Sequence, residues 1–233
     1  MTVSVVSLRR YPVKAMGGED LDVAAFDARG LSGDRWYAVE DIQGRFASGK
    51  DTRRFRRRDR VFDYNASTDS SGRVAVRRGQ ECWLVGDPEL DRHLSEVMDA
   101  EVRVAPEAEV PHQDMGAVSL ISTATLAWCA ATWGGSNDAR RVRANVVIAA
   151  DEPFVEETWL GREISLGSVG LRLVDRAPRC RTIDIAQDGA IPGTKWLRQL
   201  AQERDMLLAV YADVIRVGRV SVGDRVEIPS FLI

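Results

Sequence analysis

Hydrophobic and polar residues alternate along most of this chain in short runs, which is the pattern of β-strands. Val and Leu predominate in the runs, and Gly, Asp and Pro separate them. The pattern predicts strands at residues 3–9, 36–40, 60–65, 73–78, 81–85, 101–104, 145–150, 170–175, 207–216 and 225–228.

Three other segments repeat apolar residues at helical spacing. Asp87 followed by proline indicates one helix start. Ser122 or Thr123 can cap a second helix that ends at a Gly-Gly pair, and Thr194 precedes a third. The predicted helices cover residues 88–98, 124–133 and 195–203.

Many strands with few helices favour a mainly β fold, an antiparallel β-barrel decorated by helices, over a doubly wound α/β sheet. The chain contains neither of the two glycine-rich phosphate-binding signatures, GxGxxG after a strand or GxxxxGK[ST]. The polar stretch around residues 106–113 predicts a boundary between domains 1–105 and 106–233. The two parts need not fold independently, since strands between 145 and 228 could close a barrel against which the first part packs.

Composition narrows the class of protein. The chain has 233 residues, of which 45% are hydrophobic and 29% charged, as in soluble globular proteins. A net charge of −3 argues against a general polyanion binder. Three cysteines without a CxxC pair fit a reducing compartment. No apolar stretch approaches the ~20 residues of a membrane helix, and the N-terminus does not resemble a signal peptide. We therefore expect a cytoplasmic protein with no membrane partner.

Cations stand beside two turns that glycine or proline shapes. Only Lys14, Lys50 and Lys195 are lysines among the 32 basic residues. Lys14 ends the turn 11–14, and Arg35 lies in the glycine-rich turn 30–36. Fixed cations beside an adaptable backbone suit an anionic ligand, although plain hairpins with solvated cations would show the same pattern. Arg143 and Asn145, at the start of a predicted strand, are equally ambiguous.

The run 53–60 contains six arginines in eight residues. It could grip the phosphates of single-stranded nucleic acid, with Phe55 as a stacking platform. It could instead be a solvated edge, which is the more common role of a local basic cluster in an acidic protein. A third interpretation is that some of these arginines line a pocket for a small anionic cofactor. Nucleic acid is the least favoured partner.

Cys180 is the candidate for thiol chemistry. It lies between Arg179 and Arg181, directly after a predicted strand. Flanking cations favour the thiolate, which is the form of cysteine that attacks electrophiles and binds metals. Cys82 and Cys129 lie in apolar patterns and are expected to be buried. The spacing alone leaves a functional and an incidental thiol equally open.

Other catalytic constellations lack support in the sequence. His93 and His112 are the only histidines. They are too few for a histidine-rich zinc or iron site. Nothing in their spacing indicates a Ser-His-Asp or Cys-His pair.

Together these segments resemble the MOSC (molybdenum cofactor sulfurase C-terminal) domain family, preceded by its N-terminal β-barrel domain. Within the family, the chain is most similar to the amidoxime-reducing component and its bacterial counterparts. The resemblance runs through nearly the whole chain and rests on residues 11–14, 30–36, 118–122, 143–147, 152–161, 179–180, 208–211 and 222–226.

The resemblance implies a molybdopterin-dependent oxidoreductase that reduces N-hydroxylated compounds such as amidoximes and hydroxylamines. Domain 1–105 would be the β-barrel-like partner of a MOSC β-barrel at 106–233. Cys180 would be the catalytic residue and the molybdenum ligand, and an external protein would donate electrons. Pyridoxal phosphate binding is a further property that the family resemblance implies. The implied cofactor-binding residues are Lys14, Arg35, Ser122, Thr123, Arg143, Asn145, Arg179 and Tyr211.

Two alternatives belong to other functional classes. Cys180 could carry a persulfide and transfer sulfur to an acceptor, or the chain could be a non-catalytic cofactor-binding module. Two departures from the family pattern bear on the choice. Asp184 follows Cys180 two residues earlier than in the relatives, and Ala15 stands where a serine often follows the lysine.

Overall fold

The computed structural model describes residues 3–228 and consists mainly of strands, which confirms the predicted fold class. Three α-helices interrupt the strands in this part of the chain: α1 (Pro88–Met98), α2 (Thr123–Trp133) and α3 (Trp196–Glu203). The strands are β1 (Ser4–Arg10), β2 (Glu19–Leu21), β3 (Val23–Asp27), β4 (Gly30–Leu31), β5 (Tyr37–Asp41), β6 (Phe46–Ser48), β7 (Phe55–Arg57), β8 (Asn65–Thr68), β9 (Val74–Arg78), β10 (Glu81–Leu84), β11 (Val102–Pro106), β12 (Val118–Ser122), β13 (Val146–Ala149), β14 (Glu163–Leu166), β15 (Val169–Pro178), β16 (Leu207–Arg216), β17 (Gly218–Ser221) and β18 (Val226–Glu227).

The largest sheet has eight strands in the order β18-β14-β15-β16-β12-β13-β1-β2. Most neighbours are antiparallel, but β12 runs parallel to β13. Smaller sheets have the orders β11-β5-β6-β7, β10-β9-β8 and β17-β3-β4. The pair β6 and β7 is also parallel.

Strand pairing joins the two halves of the chain. β1 lies beside β13 with Leu8 opposite Val146, and β3 lies beside β17 with Ala24 opposite Val220. β11 spans the predicted boundary between residues 105 and 106 and pairs with β5. The division into 1–105 and 106–233 remains a prediction, and its outer ends, residues 1–2 and 229–233, lie outside the described residues.

The apolar side chains form three large clusters. One contains Leu120 and Leu171 and is formed largely by residues of the eight-stranded sheet. A second lies in the N-terminal half beneath α1, around Leu94. The third joins α2 and α3 through Cys129 and Trp196. The polar side chains between these clusters are therefore held by rigid elements on several sides.

The helix starts follow local capping rules in two cases. The Asp87 side chain accepts a hydrogen bond from the Glu89 amide, and Ser122 accepts one from Thr125 at the start of α2. α3 is capped from a distance, because Asp184 Oδ1 accepts from the Trp196 amide at 2.8 Å. Thr194, which the sequence placed at this helix start, does not supply that cap.

Two local predictions are wrong. Residues 60–65, predicted as a strand, begin instead as the 3-10 helix Asp59–Asp63, which turns Val61 and Phe62 into the core. Cys82, predicted as buried, is exposed because its strand β10 is the edge of a three-stranded sheet. Several short strands also escaped prediction because two to five residues give little periodicity. These strands are β2, β3, β4, β6, β7, β8, β12, β14 and β17.

None of the helices within residues 3–228 is long and apolar enough to cross a bilayer.

We predict that Leu171→Ala destabilises the protein by about 2–5 kcal/mol, because Leu171 is fully buried in the main core. Val174→Ala on the same strand is the matched control. Val174 is 43% exposed, so its loss is expected to cost less than ~1 kcal/mol. Urea unfolding followed by circular dichroism measures both, and equal effects would contradict this assignment of the core.

Candidate functional site

A cavity of about 370 Å³ opens between the N-terminal half and the end of β15. Its wall is strongly positive, since the described lining residues include seven cationic side chains and one carboxylate, Asp114. An arrangement with this charge balance suits an anionic ligand. The cationic residues are Lys14, Arg35, Lys50, Arg54, Arg141, Arg143 and Arg179.

Two loops that the sequence marked as turns bring Lys14 and Arg35 together. The Lys14 amide donates to the carbonyl of Tyr37 at 2.8 Å. The Arg35 amide donates to the carbonyl of Tyr11 at 2.7 Å. These reciprocal backbone bonds lock the loop after β1 against the loop before β5.

The backbone of the cavity wall is strained at three positions. Ala15, Arg35 and Arg143 line the cavity with φ values of 67°, 54° and 55°, in the left-handed region that non-glycine residues rarely adopt. Such strain persists only where surrounding contacts enforce it, and it clusters at functional sites. Two of the three strained residues, Arg35 and Arg143, carry guanidinium groups in the cavity wall.

Tyr11 is the platform for those two guanidinium groups. The Tyr11 ring is fully buried, and the guanidinium carbons of Arg35 and Arg143 lie 5.0 and 4.2 Å from its centroid. Arg143 also donates to the carbonyl of Met16 at 2.7 Å. Burial lowers the pKa of Arg143 to about 10. The group still carries its charge at neutral pH.

Lys14 and Lys50 face the cavity from the other side. Lys14 is only 5% exposed, and its Nζ donates to the His112 carbonyl at 2.6 Å and to Asp114 Oδ1 at 3.1 Å. Both ammonium groups lie over the Phe55 ring, at 4.9 and 4.5 Å from its centroid. Burial lowers the pKa of Lys14 to about 8. Burial would raise the pKa of Asp114, but Lys14 and Lys50 outweigh it and hold that pKa at about 2.

Cys180 lies in the cavity wall just after β15, where its Sγ is 3.3 Å from Thr182 Oγ1 in a hydrogen bond. Arg179 beside it donates from Nε to the Leu208 carbonyl at 2.7 Å and from Nη1 to the Val142 carbonyl at 2.9 Å. Its Nη2 is buried and has no hydrogen-bond partner among the described residues. Burial lowers the pKa of Arg179. A buried donor of this kind is costly unless a ligand satisfies it.

Arg181, the other neighbour of Cys180, does not line the cavity. Its guanidinium donates to Asp59 at 2.5 and 3.0 Å and to the Gly49 carbonyl at 3.2 Å. The hydrogen bonds to Asp59 raise the pKa of Arg181. The sequence analysis expected both flanking cations to favour the Cys180 thiolate. In the structure Asp59 compensates the charge of Arg181.

Ser122 and Thr123 do not line the cavity, and their role as cofactor-binding residues stays a prediction. Ser122 is fully buried, and its hydroxyl caps α2. Thr123 accepts a hydrogen bond from the Ala150 amide at 3.4 Å. The Ser122 hydroxyl thus caps α2, as the sequence pattern also predicted, whereas the Thr123 hydroxyl holds the segment after β13.

Asn145 and Tyr211 do line the cavity, but their side chains make different contacts. The Asn145 oxygen accepts from the amide and hydroxyl of Ser119, and its nitrogen donates to the Arg9 carbonyl. Asn145 thus fastens three strands together. The Tyr211 ring packs against Gly116, where a Cβ would lie 2.4 Å from the ring.

Lys50, Arg54 and Asp114 are site residues that the sequence did not single out individually. The sequence distinguished Lys50 only as one of three lysines, and Arg54 only as part of the basic run 53–60. Arg54 Nη2 donates to the carbonyls of Pro111 and Gln113 at 2.5 and 3.3 Å. The rest of the run includes surface ion pairs. Arg56, Arg57 and Arg60 pair with Asp51, Asp59 and Asp63.

The described cavity lining offers a metal one thiol, Cys180, and one carboxylate, Asp114, which is held by Lys14 and Lys50. Within residues 3–228, no three His, Cys, Asp or Glu side chains converge as a metal site would require. A metal at Cys180 would therefore take its remaining ligands from a cofactor or from water. The arrangement can hold an anion with fixed cations and present one soft ligand beside it.

Comparisons with known proteins identify the segments that surround this cavity. A family model described as the MOSC domain matches residues 107–227, and one described as the MOSC N-terminal beta barrel domain matches residues 2–81. A molybdenum cofactor sulfurase from Danio rerio is 32% identical over 74 residues. That match covers 31% of this chain and only 9% of the relative's length.

One solved structure shows a similar fold, and a second aligns less well. The YuaD protein from Bacillus subtilis aligns over 99% of this chain and 97% of its own, with 15% identity and a TM-score of 0.51. YiiM from Escherichia coli aligns over 100% of this chain and 71% of its own, with 11% identity and a TM-score of 0.48.

We predict that sulfate binds the cavity about fivefold more weakly at pH 9 than at pH 7, because Lys14, whose pKa is lowered to about 8, loses its proton in this range. Sulfate stays a dianion throughout, so the protein alone titrates. Isothermal titration calorimetry measures the affinity. Lys14→Met should bind weakly at both pH values, whereas Lys195→Met, an exposed lysine at the start of α3, should keep the wild-type dependence. Equal wild-type affinities at the two pH values would refute the role of Lys14.

Proposed function

The chain belongs to the MOSC domain family, and from this premise we propose that it binds the molybdenum cofactor and reduces N-hydroxylated compounds such as amidoximes and hydroxylamines. One observation carries the proposal: Cys180 lines a cavity whose other charged groups are cations, apart from Asp114, among the described residues. Affinity for the cofactor and the reductase activity are both part of the proposal. The family itself is shown by the domain match over residues 107–227.

The residues present fit such a cofactor. A terminal phosphate requires fixed cations. Arg143 lies over Tyr11 beside Arg35, and Arg35 is itself held in place by an ion pair with the buried Asp34. Arg179 Nη2, which has no hydrogen-bond partner among the described residues, can donate to an acceptor on the cofactor. A volume of about 370 Å³ lies within the usual ~300–1,000 Å³ of small-molecule sites. Cys180 is the one thiol in the described lining, and thiolates suit soft metals.

In the proposed mechanism, Cys180 Sγ would bind the metal, and the arginine cluster together with Lys14 and Lys50 would hold the phosphate. The bound cofactor would supply two-electron redox chemistry. Reduction of an N-hydroxylated substrate breaks its N–O bond, consumes two electrons and two protons, and releases water. Lys14 Nζ carries a proton at neutral pH, since its pKa is about 8, and can donate a hydrogen bond to an oxygen in the cavity. Thr182 orients the thiol through its hydroxyl.

The electrons would come from a separate donor protein. A four-cysteine iron–sulfur centre is beyond the three cysteines of this chain. The donor, like a cytoplasmic location, belongs to the proposal.

A persulfide carrier is the second candidate. In that role Cys180 would accept a sulfane sulfur from a donor persulfide and pass it to an acceptor nucleophile. Support comes from the position of its thiol in an open cavity, and from the name of the related molybdenum cofactor sulfurase. This chemistry needs no metal, so metal content separates the two candidates.

We predict that wild-type protein from a cofactor-competent host contains molybdenum and pterin in near-equal amounts with protein. Cys180→Ser should lower benzamidoxime reduction with an artificial electron donor by more than about 100-fold, since loss of a ligand should exceed the ~10–100-fold effect of outer-shell changes. Pterin should remain bound to this variant because the cations still hold the phosphate. Metal analysis and pterin fluorescence provide readouts besides activity.

Cys82→Ser is the matched control, because Cys82 is exposed on β10 and does not line the cavity. It should keep full metal content and activity. Full activity of Cys180→Ser would contradict the proposed ligand. Folded protein without molybdenum or pterin, but with cyanide-releasable sulfur that disappears in Cys180→Ser, would select the persulfide carrier.

A further inference from the structure

Asp114 is the one carboxylate in the described cavity lining, and it faces several cations at once. Its Oδ1 lies 3.1 Å from Lys14 Nζ and 3.6 Å from Lys50 Nζ. Attraction to Lys14, Lys50 and Arg35 lowers its pKa against the effect of burial. Asp114 therefore occupies the kind of position that an anionic ligand group would take.

Asp114 belongs to a segment without helix or strand, between the end of β11 at Pro106 and the start of β12 at Val118. Cavity cations hold this segment to the rest of the molecule. Arg54 donates to the carbonyls of Pro111 and Gln113, and Lys14 donates to that of His112. The groups that would bind a ligand thus also bind this segment.

Asp114 can leave its position without unfolding the segment. Its side chain is 46% exposed, and the neighbouring Met115 is 68% exposed. The preceding residues have anchors of their own, since the His112 amide donates to Glu107 and the Gln113 side chain donates to the Arg29 carbonyl. A recess of about 290 Å³, lined in part by Asp114, Met115 and Asp213, adjoins the cavity. Movement of Asp114 into solvent leaves those anchors intact.

We propose that Asp114 is an affinity-determining residue: in the free protein its carboxylate fills a phosphate subsite between Lys14 and Lys50, and a phosphate-bearing ligand must displace it. The exchange replaces one anion by another, so Lys14, which is 5% exposed, never loses its counter-charge. A phosphate dianion carries more charge than the carboxylate it replaces, which favours the exchange. The inference rests on the anion-binding cavity of the proposed function but does not require molybdenum.

Titration of inorganic phosphate by calorimetry at pH 7.5 tests the proposal. Asp114→Asn should bind phosphate at least about tenfold more tightly than wild type, because the competing carboxylate is gone. Asp213→Asn is the matched control, since it removes the same charge from the adjoining recess without touching either lysine, and should match wild type within about twofold. Lys50→Met should bind more weakly than wild type. Equal or weaker binding by Asp114→Asn, or no phosphate binding by any variant, would overturn the proposal.

Hydrogen exchange of the backbone amides at residues 113–116 gives a second readout. Saturating phosphate should speed exchange there in wild type, because the ion pairs of Asp114 are released. Unchanged or slower exchange would also overturn the proposal.

These experiments separate the displacement of Asp114 from the binding of the molybdenum cofactor. Tight phosphate binding by Asp114→Asn in protein that never takes up molybdenum supports the displacement and refutes the cofactor. The reverse result refutes only the displacement.

Discussion

The cavity depends on how several cations are buried side by side with fewer carboxylates than cations to balance them. Asp34 pairs with Arg35 and Asp114 with Lys14. Arg143 and Arg179 have no ion pair with a carboxylate among the described residues. An unpaired buried charge is strongly unfavourable, so each cation must find some compensating group. The protein supplies mainly dipoles and an aromatic ring. Arg179 donates to two carbonyls, Lys14 donates to the carbonyl of His112, and Arg143 lies on the face of Tyr11 and donates to Met16.

These compensations explain the irregular backbone around the cavity. Most of these carbonyl groups, those of Met16, His112 and Val142, lie outside the strands, and three lining residues adopt positive φ angles. Strain of about 1–3 kcal/mol per residue is tolerated because neighbouring sheets fix the loops. Since dipoles carry no net charge, the cavity stays positive. It remains ready for an anion, which is the property on which the proposed function rests.

Sequence patterns predicted the long elements well. β15, β16 and α1 have enough residues for alternation, helical spacing or a capping aspartate to be visible, and all three are confirmed. Short strands and the 3-10 helix Asp59–Asp63 were not predictable, because their conformation depends on pairing with distant segments. The exposure of Cys82 likewise depends on which strand lies at a sheet edge.

Part of the candidate site was also predictable from the sequence. Lys14, Arg35, Arg143, Arg179 and Cys180 were named from turns and from the family resemblance, and the fold brings all five to one cavity. Asp114 could not have been named, because only the folded chain places residues 111–116 against both lysines. Ser122 and Thr123 were named as cofactor-binding residues, but neither lines the cavity. The Ser122 hydroxyl caps α2, and the Thr123 hydroxyl accepts from the Ala150 amide. A residue type that suits a ligand also suits a helix cap, and position along the chain does not separate the two roles.

The central claim, that Cys180 is the protein ligand of a cofactor metal in this cavity, is tested most directly by molybdenum K-edge X-ray absorption of the loaded protein. The account predicts one fewer sulfur neighbour around molybdenum in Cys180→Ser than in wild type, with the remaining neighbours unchanged. Identical sulfur shells in the two proteins would contradict it.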